Sequence, residues 1–146
     1  MPPFARLAAV LLIAAPALAA AQKQPVVGQG QQATATLTPG IRHGDVLYVS
    51  GQLGTSRTDP DSSIQGQTKR ALENIQKVVE AAGSNMANVL KCTVFLADVK
   101  DFQGMNSAYT QFFPKEPPAR STVAVAALVS PSAKVEIECI AAIPSK

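Results

Sequence analysis

Ser121-Thr122-Val123-Ala124-Val125-Ala126-Ala127 is small or apolar at almost every position. A strand with one wet face alternates apolar and polar residues, so this pattern predicts a strand covered on both faces. It lies within a longer extended stretch, Ala119 to Leu128, which the Ser130-Pro131-Ser132 turn joins to a second strand, Lys134 to Ile143. Toward the N-terminus, Phe102, Met105, Tyr109, Phe112 and Phe113 repeat at helical spacing up to Pro114, and Val89 to Ala97 reads as a strand. Ile64, Ala71, Leu72, Ile75, Val78, Val79 and Ala82 mark an amphipathic helix stopped by Gly83. Val46 to Ser50 is a strand entered from the His43-Gly44-Asp45 turn, and Ala33 to Leu37 is a weaker strand that would complete a hairpin with it. The order predicts an α+β domain with two helices on one face of a mixed sheet. A chain of 146 residues has no third layer for the other face, so a second copy of the subunit is expected to cover it.

Composition supports this reading. The chain is 47% hydrophobic and 16% charged, which suits one globular domain. Its net charge is +3, and removing Arg6 leaves 12 basic against 10 acidic residues, a balance that requires no nucleic-acid partner. One histidine and two cysteines exclude a His-rich zinc set and a four-cysteine site, so no metal is expected.

Residues 1–21 read as a signal peptide. Arg6 supplies the positive charge, Leu7 to Ile13 the apolar run, and the alanines around Ala17-Leu18-Ala19 a cleavage site, expected between Ala19 and Gln22. Pro16 interrupts the run, which is shorter than the roughly 20 residues of a bilayer span, so a retained anchor is second to cleavage. The mature protein is then expected in the periplasm or outside the cell, free of the membrane. Export would put Cys92 and Cys139 where a disulfide can form, although two small buried side chains explain them equally well. Residues 22–32, rich in Gln and Gly, are expected to be a flexible lead, with the domain proper at 33–146. Gly28-Gln29-Gly30 lacks the Lys-Ser/Thr or third glycine of a phosphate loop.

Polar residues that interrupt a covered surface are candidates for chemistry. Arg120 opens the fifth strand, and Glu136 and Glu138, two apart in Val135-Glu136-Ile137-Glu138, share one face of the sixth. An ordinary solvent-facing alternation is one reading; a cleft between subunits offering a guanidinium and a carboxylate to a small substrate is the other. His43 reads as an exposed turn histidine, the aromatics of the second helix as core, and Ser50 and Ser121 as structural.

Val49-Ser50-Gly51-Gln52, Ala71-Leu72-Glu73-Asn74-Ile75, Glu80-Ala81-Ala82-Gly83, Thr93 to Asp98, Met105-Asn106-Ser107-Ala108-Tyr109, Pro118-Ala119-Arg120-Ser121 and Val135-Glu136-Ile137-Glu138, taken in order, resemble the Rid (YjgF) family of imine and enamine deaminases. The resemblance spans essentially everything after Gln32. It implies a chorismate-mutase-like fold, a homotrimer whose sheets line an inner barrel, and active sites at subunit boundaries. It also implies hydrolysis of 2-imino acids and their enamine tautomers to 2-oxo acids and ammonia without metal or organic cofactor. The family's carboxylate-binding arginine falls on Arg120, its acidic residue on Glu136, its helix asparagine on Asn106 and its strand-end glycine on Gly51. Glu138 is then structural.

Two positions depart from the family pattern. Leu37 stands where a substrate-side tyrosine is common, and Thr122 where some members carry cysteine. An aliphatic Leu37 would favour longer substrate side chains, or turn the protein into a non-catalytic binder of small carboxylates or protein surfaces. RNA cleavage, also attached to the family, finds little support in a chain of low charge without a basic stripe.

Overall fold

A computed structural model of the chain describes residues 22–144; the expected signal peptide lies outside the described residues. Its strands are β1 (Gln24–Val26), β2 (Gly40–His43), β3 (Val46–Leu53), β4 (Val89–Leu96), β5 (Ala119–Ala124) and β6 (Val135–Ala142), and its helices α1 (Ile64–Ala81) and α2 (Phe102–Phe112). They form a single mixed sheet in the order β1-β2-β3-β6-β4-β5, with β4 and β5 parallel and every other pair antiparallel.

Local chemistry sets the helix limits. The Ser63 hydroxyl accepts the Gly66 N–H at 3.0 Å, satisfying one of the donors a helix start leaves unpaired. Gly83 leaves α1 at φ +82°, and the amide of Ser84 then reaches back to the Val79 carbonyl at 3.0 Å. Between these ends Ala71, Leu72, Ile75, Val78 and Val79 are buried against the sheet. Leu47 and Val49 of β3, Cys92, Val94 and Leu96 of β4, and Val135, Ile137 and Cys139 of β6 meet them, and α2 adds Met105 and Tyr109. Alternate residues on the same strands (Tyr48, Thr93, Phe95, Glu136, Glu138) point to the face that no helix covers.

Three sequence expectations change. Ala33–Leu37 is not a strand: the Thr34 N–H donates to the Leu37 carbonyl at 2.8 Å, and the Thr34 hydroxyl accepts the Leu37 N–H at 3.0 Å. The threonine side chain thus offers the backbone a local turn that competes with a ladder. The hairpin is instead β2–β3, turning at Gly44, φ +61°. The 22–32 segment, expected to be flexible, supplies β1, and Gln31 donates its amide to Gln52 Oε1 at 3.0 Å and to the Asn74 carbonyl at 3.2 Å. Its lack of hydrophobic period reflects a short edge strand that buries little and is held by hydrogen bonds. Finally, the strand expected over Ala119 to Leu128 ends at Ala124, and β5 pairs with β4 alone while β6 lies between β3 and β4.

Cys92 and Cys139 lie directly opposite on β4 and β6 and are joined by a disulfide, both sulfurs within the helix-covered core. Both readings of these cysteines therefore hold together: they are buried, and they are bonded.

Candidate active site

Arg120 is paired in register with Cys92, whose side chain lies in the core, so Arg120 projects toward the helix-covered side of the sheet at its β5 edge. There α2 meets it. The guanidinium carbon is 4.7 Å from the centroid of the Tyr109 ring and 5.9 Å from that of Phe102, and Nη1 lies 4.0 Å from Met105 Sδ. Among the described residues no carboxylate is within ion-pairing distance of it. Asn106, Tyr109, Phe113, Pro118 and Arg120 line a cavity of about 390 Å³. Thr122, two residues beyond Arg120 on the same face, has a buried hydroxyl without a partner, as does Tyr109. Burial pushes the Tyr109 phenol up to about 12, against the opposing pull of the Arg120 charge, so it stays a neutral donor at physiological pH.

Glu136 stands elsewhere. It pairs with Phe95 and Leu53 on the uncovered face of the sheet. The β3–β6 register shifts between Val49 and Gln52, and Gly51 falls in that irregularity. A Cβ at Gly51 would lie 2.0 Å from Glu136 Oε1, so the missing side chain is what lets the carboxylate rest over this backbone. An apolar recess formed by Phe95, Val125, Ala127, Leu128 and Val129 borders the same carboxylate.

The candidates thus form two half-sites. Arg120, Asn106 and Thr122 share one side of the sheet, while Glu136 and Gly51 share the other, and a single chain does not bring them together. Leu37, 48% exposed, lines a recess with Thr34, Ile41 and Ser50. Ser50 ties that loop down through its hydroxyl to the Thr38 carbonyl (2.6 Å) and its N–H to the Pro39 carbonyl (2.9 Å), which joins Leu37 to the Gly51 half. Glu138 faces a different hollow, with Tyr48, Lys91 and Thr93, and His43 is exposed at the end of β2. Among the described residues no cluster of three or more His, Cys, Asp or Glu is arranged to hold a metal. Sequence periodicity assigned Tyr109 to the core, which is correct for its ring and missed its contact with Arg120; the pairing needs the β4–β5 register, which periodicity does not contain.

The family model described as Endoribonuclease L-PSP matches residues 28–143. The chain belongs to the Rid (YjgF) family. Among Rid-family relatives, Reactive Intermediate Deaminase A, chloroplastic, of Arabidopsis thaliana is 37% identical over 96% of this chain and 73% of its own length. The 2-iminobutanoate/2-iminopropanoate deaminase of Homo sapiens is 41% identical over 65% of this chain and 71% of its own length. Of the solved structures, the YjgF gene product of E. coli superposes with a TM-score of 0.74 at 31% identity, covering 82% of this chain and 98% of that one. Yeast Mmf1 gives 0.75 at 29% identity, over 84% and 100%. The α+β Rid fold expected from the sequence is the fold observed.

The Gly51–Glu136 contact yields a test within this Rid-family chain. Gly51→Ala forces the carboxylate aside, and because a carboxylate at the end of a flexible side chain can swing away, the fold should survive. If Glu136 is a catalytic group, turnover of an imino acid is expected to fall about tenfold to a hundredfold on its displacement, with the unfolding midpoint nearly unchanged. Unaltered turnover would show that the position of this carboxylate does not matter.

Proposed function

We propose that the protein is an exported homotrimeric deaminase that hydrolyses 2-imino acids, and the enamines that tautomerise to them, to 2-oxo acids and ammonia. The observation that carries this reading is Arg120: a guanidinium beside a cavity, with no carboxylate partner among the described residues, is suited to receive the carboxylate of a small acid. The deaminase names of the relatives supply the reaction class.

Two half-sites on opposite faces of the sheet argue for a head-to-tail ring. In such a ring one subunit's Arg120 face meets the next subunit's Glu136 face, and a heterologous contact that closes is cyclic. The apolar and largely exposed β5 edge, with Val123 at 45% exposure, would be covered in the same step.

In the resulting cleft Arg120 binds the substrate carboxylate through two parallel hydrogen bonds and so fixes the plane of the adjoining C=N group. Asn106 and Thr122 offer polar contacts beside it. Glu136 accepts a proton from water as the water oxygen bonds to the carbon of the protonated imine, and then passes that proton to the amino nitrogen of the adduct. Collapse of the tetrahedral adduct breaks the C–N bond as the hydroxyl proton returns to Glu136, which releases ammonia and leaves the 2-oxo acid. Loss of 2-iminopropanoate and 2-iminobutanoate, generated in solution by an amino-acid oxidase, should be faster with the purified protein than without it. Equal decay rates would leave a non-catalytic binder.

Export is part of the proposal. It rests on Arg6 with the apolar run after it, and on the Cys92–Cys139 disulfide, which suits an oxidising compartment. N-terminal sequencing of periplasmic or secreted protein should begin between Ala20 and Gln22; a sequence starting at Met1 would contradict it.

A further inference from the structure

The bidentate role proposed for Arg120 requires its guanidinium plane to be held while its N–H groups stay unoccupied. An arginine is commonly anchored by a carboxylate, but that partner consumes the in-plane donors a substrate would need. Arg120 has none within reach among the described residues. Its nearest anchor is the face of an aromatic ring, Tyr109 at 4.7 Å, with Phe102 farther off at 5.9 Å and the weakly accepting Met105 sulfur at 4.0 Å. We propose that Tyr109 is a positioning residue whose ring holds the Arg120 guanidinium for carboxylate capture; this rests on the clamp reading of Arg120 above.

Contact with a ring face draws on the ring quadrupole and uses none of the guanidinium hydrogens. Side-chain freedom that arginine would otherwise lose on binding substrate is lost at folding instead. Tyr109 is itself immobile: it is 3% exposed, and its ring packs on that of Phe113 with centroids 4.8 Å apart. Since the phenol is neutral at working pH, the attraction is to the ring and not to a phenolate. Phenylalanine should therefore substitute for it, and an aliphatic residue should not.

The test compares Tyr109→Phe and Tyr109→Leu with wild type and with Arg120→Lys, using 2-iminopropanoate as substrate and pyruvate, the corresponding 2-oxo acid, as competitive inhibitor. Tyr109→Leu is expected to raise KM and the pyruvate inhibition constant together by roughly five- to thirtyfold, the span of a partly to fully desolvated cation–π contact, with kcat within a few-fold of wild type. Tyr109→Phe should restore both to within about twofold, since it keeps the ring face. The ring-current displacement of the Arg120 side-chain resonances, present in wild type and Tyr109→Phe, should vanish in Tyr109→Leu. A purely structural Tyr109 would instead lower the unfolding midpoint and the active fraction while KM stayed put. If Tyr109→Leu fails to fold, Tyr109→Met, unbranched and adaptable, carries the same comparison. Unchanged KM and inhibition constant in the aliphatic variant, while Arg120→Lys is impaired, would overturn the proposal and leave the clamp intact; an unimpaired Arg120→Lys would overturn the clamp itself.

Discussion

Glu136→Gln is expected to lower kcat for imine hydrolysis by about two to four orders of magnitude, the usual range for removing a general acid–base, while KM changes by no more than a few-fold. The amide keeps the size of the carboxylate and its place over Gly51, but it cannot take a proton from water. In the proposed mechanism the carboxylate acts on water and not on the substrate's anionic group, so binding should be largely spared. Steady-state kinetics on oxidase-generated imines checks both halves of the expectation. A variant with wild-type kcat would remove Glu136 from the mechanism, and one with intact kcat but a greatly raised KM would reassign it to binding.

Arg120→Lys is expected to cost about 2 to 4 kcal/mol of transition-state binding, roughly 30-fold to 1000-fold in kcat/KM. Charge is retained, so any loss measures geometry: an ammonium is a point donor without a plane, and it cannot set the orientation of the C=N group through two parallel bonds. The guanidinium's contact with the Tyr109 ring is also forfeited. Loss in this variant should appear in both KM and kcat, unlike that in Glu136→Gln. Equal kcat/KM for lysine and arginine would mean that only a positive charge is required.

The sequence carried the two helices and β3, β4 and β6 because each shows a period, as in Ile64–Ala81 and Val135–Ala142, whereas β5 was legible only as a run of small and apolar residues, and it ends at Ala124. It misplaced the first hairpin because Thr34 and Leu37 satisfy each other locally, an arrangement that threonine's β-propensity hides. It overlooked β1, whose residues bury little and whose pairing depends on β2 lying alongside. For the site, Arg120 and Glu136 stood out as polar residues in apolar strands, and alternation alone placed Glu136 and Glu138 on one face. That Arg120 and Glu136 fall on opposite faces followed only from the β4–β5 and β4–β6 registers, which are long-range pairings. Leu37 was legible as a departure from the family pattern, but its attachment to the Gly51 half depends on the Ser50 hydrogen bonds to Thr38 and Pro39.

An active site shared between subunits can be tested by complementation. Arg120→Lys and Glu136→Gln proteins, each nearly inactive alone, are co-expressed and the mixed trimers isolated by differential tags. In the proposed cyclic trimer, a cleft built from one subunit's Arg120 face and the next subunit's Glu136 face combines an intact arginine with an intact glutamate at one of the three clefts of every mixed trimer. About a third of the clefts in the isolated mixed trimers should therefore be intact, and those trimers should recover about that share of wild-type imine hydrolysis. Verified mixed trimers no more active than the separate variants would contradict a site assembled across the subunit boundary.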